Sequence, residues 1–319
     1  MSRSARHAIS PVSADTVITP ATPASEAIPA LVERAGGRIH GLARKLCGNL
    51  ADAEDVVQEV FLQAYRKWHL FRGDSDPATW LYAIGVRACK TRARRKGGID
   101  RRTPALSQLM PWGETKVMEV AAAPDDTAHR AERNEAVARV QAEIARLPEY
   151  LRMPLVLKEV LELSVEDTAA TLGLAENTVK TRLHRARLAL RKAMTARSSL
   201  VKAPMPIFEK QVCLDLLKAK LEAMDRGGVA HGFAVPQAEV CARCRAVFRE
   251  LDLVQNACAQ LGEGSMPNPL RRKILAALAE REQRGGDRGG RMDDGGMVRI
   301  VEVHHVRARC IDDSRARSS

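Results

Sequence analysis

The chain has 319 residues, 51 Lys+Arg against 39 Asp+Glu and a formal net charge of +12, with an isoelectric point near 9.7. At ~100–200 residues per domain this length suggests two or three domains, and a hydrophobic content of 45% excludes wholesale disorder. The basic excess points to a polyanionic partner, with nucleic acid the first candidate. No run of ~18 apolar residues occurs, so neither a transmembrane helix nor a membrane partner is expected. The N-terminal stretch lacks the continuous apolar segment of a signal peptide. Seven cysteines, an odd count spread over a long chain, argue for a reducing cytoplasmic setting and for thiol or metal use.

Apolar residues recur with helical rather than alternating spacing, so the chain reads as all-α. Residues 1–34, rich in Ser, Thr, Ala and Pro, are expected to be a disordered tail. A first module spans 35–97. Asp52 is placed as a helix cap, with Glu54 and Asp55 in the first turn where negative charge favours the helix dipole. Val57, Val60, Phe61, Ala64, Tyr65 and Trp68 form one apolar stripe. A loop over 70–77 leads into a second helix carrying Trp80, Leu81, Ile84 and Ala88, which ends in a basic run and is stopped by Gly97 and Gly98. Residues 98–135, with Pro104, Pro111, Pro124 and the acidic Asp125 and Asp126, read as a flexible linker. A second module follows at 136–197, a third at 198–284 opening on a Ser/Pro/Lys linker, and a glycine-rich tail expected to be disordered at 285–319. Met297 to Val303 alternates well enough to pair as a strand.

The second module carries a helix-turn-helix pattern. Ser164, followed three residues later by Asp167, resembles a capping box, and Gly173 is suited to leaving a helix. A second helix begins near Asn177 or Thr178, with Val179, Leu183, Ala186 and Leu190 on its buried face. Its other face presents Thr181, His184, Arg185 and Leu188, flanked by Lys180, Arg187, Arg191 and Lys192, with Arg182 also among the candidate DNA contacts. Such a helix suits a major groove ~12 Å wide, where Arg and Lys reach phosphates and guanine edges.

In the first module, Arg87, Lys90, Arg92, Arg94, Arg95 and Lys96 lie beside clustered aromatics. Bases stack on rings beside cations at ~1–3 kcal/mol each. Phe61, Tyr65, Trp68 and Trp80 are assigned to packing, and Phe71, with Arg72 beside it in the loop, to meeting a base. The segments DAEDVVQEVFLQAYRKW, FRGDS and TWLYAIGVRACKTRARRK resemble region 2 of sigma-70 family factors of the extracytoplasmic-function type. LPEYLRMPLVLKEVLELSVEDTAATLGLAENTVKTRLHRARLALR is similar to region 4 of the same family, with no region 3 between them. The resemblance implies two helical domains, a region 2 bundle and a region 4 helix-turn-helix. It implies that the 52–68 helix docks on core RNA polymerase, through Asp52, Asp55, Gln58 and Glu59, and that loop 70–77 captures a flipped base of the −10 element. It also implies that 178–191 reads the −35 element, through Lys180, Thr181, His184 and Arg185. Arg87 stands where the family usually has Asn, and Asn177 where Gly commonly precedes the Thr-Val pair.

In the third module Cys241 and Cys244 open a helical pattern and Cys213 lies near the start of another. Two thiolates one turn apart can both reach a Zn²⁺ at ~2.3 Å, and a distant Cys can join them. The stretch resembles zinc-binding anti-sigma domains, with Cys213, Cys241 and Cys244 matching and Gln237 in the place of the expected His. That leaves His231 or Cys258 as a fourth ligand, or a site without metal. The segment from Pro267 to Leu275 is similar to the final helix with which such domains grip a sigma factor, which implies an intramolecular contact with regions 2 and 4.

No His-Glu-x-x-His, phosphate-binding Gly loop or Ser nucleophile elbow occurs. The expectation is a non-enzymatic sigma factor that directs core polymerase to promoter DNA, requires no cofactor, and is regulated by its C-terminal domain, with zinc in that domain one of two open alternatives. The competing expectation is a helix-turn-helix regulator that acts without polymerase.

Overall fold

The computed structural model describes residues 17–47, 49–95, 105–119, 127–196, 198–227, 240–262 and 264–286. Helices α1 (Ala24–Cys47), α2 (Leu50–Lys67) and α3 (Pro77–Arg95) pack into a three-helix bundle. Along α1 the residues Ile28, Leu31, Ala35, Ile39, Leu42 and Leu46 recur at three- and four-residue steps and are all buried, one continuous stripe. Helix α1 therefore begins well inside the expected 1–34 tail. Ala27, Ile28, Leu31 and Val32 add enough apolar surface to fold 24–34 onto the bundle, despite the Pro and Thr around them.

Asn49, not Asp52, caps α2. Its side-chain oxygen accepts from the Asp52 N–H at 2.8 Å, leaving Asp52 in the first helical turn. Asn49 is the residue with extended backbone at the helix entrance, and the Asn side chain reaches an N–H three residues on.

The expected linker over 98–135 is partly ordered. It contains α4 (Leu106–Leu109), β1 (Lys116–Met118) and the start of α5 (Thr127–Arg146). Strand β1 pairs antiparallel with β2 (Leu200–Lys202), Val117 opposite Val201, inside what reads in sequence as a second linker. These two short strands leave the all-α class intact. The strand expected at Met297–Val303 lies outside the described residues.

Helix α6 (Glu149–Leu155) runs into a π-helical turn (Val156–Val160), followed by α7 (Val165–Leu172) and α8 (Glu176–Thr195). Pro154 inside α6 has no N–H to donate, and the ladder widens just beyond it, with the Leu161 N–H reaching the Val156 carbonyl. The wide turn directs Lys158 and Glu159 inward. Helices α9 (Lys210–Gly227), α10 (Ala242–Gln260) and α11 (Asn268–Gly286) complete the described chain.

The modules are not separate beads. The first bundle packs on α5, α6 and α7, α10 lies against α5, α8 and the π turn, and α11 lies on α1 and α2. One apolar core runs through all of these, and a second surrounds Cys213, Cys241 and Cys244. The loop after α10 approaches α1 so closely that a Cβ on Gly37 would overlap the Gly264 carbonyl oxygen. Alongside, the Lys45 ammonium donates to the Leu261 carbonyl at 2.8 Å and Arg271 pairs with Glu33 at 2.6 Å.

Candidate nucleic-acid interface and metal centre

The helix-turn-helix is built as its residues dictate. The Ser164 hydroxyl oxygen accepts from the Asp167 N–H at 2.9 Å and its O–H donates to the Asp167 carboxylate at 2.7 Å. Gly173 closes α7 at φ 65°, ψ 44°, the left-handed conformation that Gly adopts without a Cβ penalty. Val179, Leu183, Ala186 and Leu190 are all fully buried.

The basic side chains of α8 divide into two groups. Toward its N-terminus Thr181 is exposed and donates to the Asn177 carbonyl at 2.8 Å. Lys180 is half-buried and 3.6 Å from Glu176, Arg182 is half-buried over the Tyr150 ring, and Arg185 is half-buried. Toward the C-terminus the same helix turns its charges inward. Arg187, expected on the DNA-facing side, is 1% exposed. It donates to Glu159 of the π turn at 2.9 Å and to Asp225 of α9 at 2.6 Å. His184 lies 2.9 Å from the other oxygen of Asp225. Arg191 is fully buried and donates to Glu250 of α10 at 2.7 Å and to Glu114 at 2.9 Å.

Burial alone would lower the Arg187 pKa, but Glu159 and Asp225 outweigh it and hold the guanidinium more firmly protonated than usual. Burial also works against the Asp225 carboxylate; His184 and Arg187 overcome it and keep that carboxyl below its ordinary range. For Glu250 burial wins and pushes the carboxyl up, despite the Met118 N–H and Arg191. None of these acids was singled out in sequence. A signal exists: Glu159 interrupts an apolar run, and Glu250 lies between Val247 and Leu251 on the inner face of its helix.

In the first bundle Arg92 bridges two of the residues assigned to polymerase docking, donating to Asp52 and Asp55 at 2.8 Å each. Asp52 is buried and Asp55 exposed, while Gln58 is half-buried and Glu59 is exposed, accepting from Gln63 at 2.7 Å. Phe71 departs from its expected role as the exposed ring. It is buried, stacked on Trp68 at 4.8 Å between centroids, with Trp80 tilted against it at 5.7 Å. Packing against the Trp68 and Trp80 rings takes its apolar surface out of water. Arg72 and the rest of the loop through Asp76 are exposed, as is Arg87 on α3, with Lys90 half-buried.

The sulfur atoms of Cys213, Cys241 and Cys244 lie within 4.8 Å of one another, all buried. Cys241 caps α10, its sulfur accepting from the Cys244 N–H at 3.5 Å. Burial opposes the Cys241 thiolate, but N–H donors at this helix entrance hold the thiol below its usual range. Burial pushes Cys213 and Cys244 up. Three convergent soft donors fit a thiophilic metal such as Zn²⁺, whose charge would deprotonate all three. Cys258 is not the fourth ligand. It lies on α10 in the other core, near Glu159, Arg187 and Lys45, because fourteen helical residues carry it ~21 Å from Cys244 at 1.5 Å per residue. His231 and Gln237 lie outside the described residues.

A helix-turn-helix with a basic second helix, joined to a three-helix bundle with an exposed polar loop and basic flank, defines a two-module DNA-binding transcription protein. Comparison with known proteins narrows the class. Residues 31–99 match sigma-70 region 2 and residues 138–190 match sigma-70 region 4. The chain is 37% identical to the RNA polymerase sigma-H factor of Pseudomonas aeruginosa over 158 residues, covering 49% of this chain and 80% of that protein. It is 31% identical to the extracytoplasmic-function sigma factor SigW of Bacillus subtilis over 160 residues, covering 49% and 83%. A solved structure of CnrH in complex with the cytosolic domain of CnrY aligns with 56% of this chain and 96% of its own, at 27% identity and a TM-score of 0.40. The chain belongs to the sigma-70 family and is an RNA polymerase sigma factor of the extracytoplasmic-function type. Its partners are accordingly core RNA polymerase and promoter DNA, and sigma factors as a family are transcription initiation factors. Among the described residues no helix is long and apolar enough to cross a membrane.

Proposed function

We propose that this sigma factor carries its own inhibitor, with the helices after region 4 holding α8 in a form unable to read a −35 element. The observation that carries this reading is the burial of Arg187 against Glu159 and Asp225. A basic residue on a recognition helix contributes to phosphate or base contact only when it can reach the groove. Here α9 and α10 supply Asp225 and Glu250 as substitutes for phosphate charge.

In the open form Lys180, Thr181, Arg182, His184, Arg185 and Arg187 face the −35 element. Arg72, Arg87 and Lys90 contact the −10 region, with Phe71 released from its stack to meet a base. Asp52, Asp55, Gln58 and Glu59 face core polymerase. Cys213, Cys241 and Cys244 hold a zinc ion that ties the start of α9 to the start of α10, so that Asp225 and Glu250 are presented together.

Run-off transcription with core polymerase tests the reading. The combined Asp225→Asn and Glu250→Gln chain is expected to give several-fold more transcript than the wild type at equal protein. Equal or lower output from a variant that still binds core polymerase overturns inhibition by these helices.

A further inference from the structure

Two cysteines outside the metal cluster lie together in the first bundle. Cys47 is the last residue of α1 and Cys89 lies in α3, forty-two positions on, with their sulfurs 3.4 Å apart. Neither belongs to the Cys213, Cys241, Cys244 group, and neither is placed among the DNA- or polymerase-facing residues. The helices that carry them are already packed side by side, so a bond requires the sulfurs to close by only about 1.4 Å, to the ~2.05 Å of a disulfide.

The two thiols are not equivalent. Cys47 is half-buried at the end of its helix, while Cys89 is 2% exposed. Hydrogen bonding from Cys89 lowers the Cys47 pKa; burial and Asp52 oppose it, while the cationic Arg92 and Arg152 assist. The same hydrogen bond, with burial, pushes Cys89 strongly up. A half-buried thiol held below its usual range and backed by a fully buried thiol is the arrangement of an attacking and a resolving cysteine.

We propose that Cys47 and Cys89 form a peroxide-reactive dithiol that closes to an intramolecular disulfide between α1 and α3. The oxidant is a hydroperoxide. The Cys47 thiolate attacks the terminal oxygen, the O–O bond breaks, and the alkoxide or hydroxide leaves, taking up a proton as alcohol or water. Cys47 is then a sulfenic acid. The Cys89 sulfur attacks Cys47 Sγ, the S–S bond forms, the S–OH bond breaks, and the Cys89 proton departs with that hydroxide as water. Two thiols are oxidised and one peroxide is reduced by two electrons; a dithiol reductant reverses the bond. The site lies where α1 and α3 meet α6, since Arg152 of α6 acts on both sulfurs. Oxidation removes the ionisable thiol near that arginine and ties the end of α1 to α3. The chemistry does not depend on how α9 to α11 act on α8.

The full-length chain treated with hydrogen peroxide, blocked with iodoacetamide and digested with trypsin tests this directly. The expected product is residues 46–66 joined to residues 88–90, absent without peroxide and lost on reduction with dithiothreitol. Cys89→Ser is expected to abolish the linked peptide and leave Cys47 trapped by dimedone as a sulfenic acid adduct. Cys47→Ser should leave Cys89 fully alkylated. Wild-type protein in which Cys47 and Cys89 both remain alkylated after peroxide treatment overturns the proposal. So does linkage of either residue to Cys213, Cys241 or Cys244 instead. Peptide mapping of the wild-type chain stands alone if a serine variant fails to fold.

Discussion

Arg191 on the recognition helix and Glu250 on α10 form an ion pair at 2.7 Å in which neither side chain is exposed to solvent. A charge in that position has no water to fall back on. Removing one partner of such a pair costs about 3–5 kcal/mol, whereas replacing both with well-packed apolar residues is often neutral. Because Arg191 also donates to Glu114, the two sides of the pair are unequal. Arg191→Met should destabilise strongly, since it leaves Glu250 buried with only the Met118 N–H. Glu250→Gln should cost less, because Arg191 keeps Glu114. The Arg191→Met, Glu250→Met double variant should recover much of the loss. Urea unfolding of the three chains checks the order.

Lys45 ties α1 to the end of α10 through the Leu261 carbonyl, and burial pushes its pKa down to about 8, with Arg44 adding to the effect. The unfolded chain holds that proton to ~10.4. Between these values the unfolded state binds more protons, so stability rises with pH from about 8 to ~10.4, and below about 8 the penalty is fully present. The melting temperature of the wild type should therefore rise across that window relative to Lys45→Met. Parallel curves for the two chains would contradict the burial of this ammonium.

The seam between α1 and the loop after α10 leaves no room for a side chain at Gly37, where a Cβ would overlap the Gly264 carbonyl oxygen. Gly37→Ala places a methyl group against a backbone oxygen that cannot move aside without the whole loop. It should lower the melting temperature and make the 262–266 segment more accessible to protease. If α11 and its loop act with α9 and α10 in restraining region 4, transcription by this variant should rise as well. Limited proteolysis and run-off transcription read the two effects separately.

Cys244 lies at the centre of the metal cluster, hydrogen-bonded to both other thiols. Cys244→Ser should reduce zinc in the purified protein from about one equivalent to a trace, and Cys258→Ser should leave it unchanged, because that sulfur lies in the other core. Zinc bound to the wild type should be lost to a strong chelator with a fall in thermal stability. Metal content and melting curves before and after chelation decide this.

Much of region 4 was legible from residues within a few positions of each other. Ser164 reaches an N–H three residues away, Gly173 relieves a local steric conflict, and Val179, Leu183, Ala186 and Leu190 are set on one face by the helical period alone. The aromatic stripe of α2 and the Cys241–Cys244 spacing are local in the same sense. The burial of Phe71 is not legible in sequence, because a loop position implies exposure only until a neighbouring helix offers a surface, and Trp80 of α3 provides one. The start of α1 is hidden in sequence by the Pro and Thr residues just before it and by Pro29 within it, and its apolar stripe becomes valuable only when α2 and α3 are there to cover it.

The amino-acid sequence by itself determined the helical class, the two sigma regions and their order, the basic recognition helix and the cysteines that can hold a metal. Each rests on spacing, capping or charge that a short segment carries wherever it is placed. Which way the basic residues face was decided only by the tertiary structure. Arg187 meets Glu159 across 28 positions and Asp225 across 38, and Arg191 meets Glu250 across 59. Buried charges require partners, but nothing local selects them. The choice is made when α8, α9 and α10 pack and exclude water from the space between them.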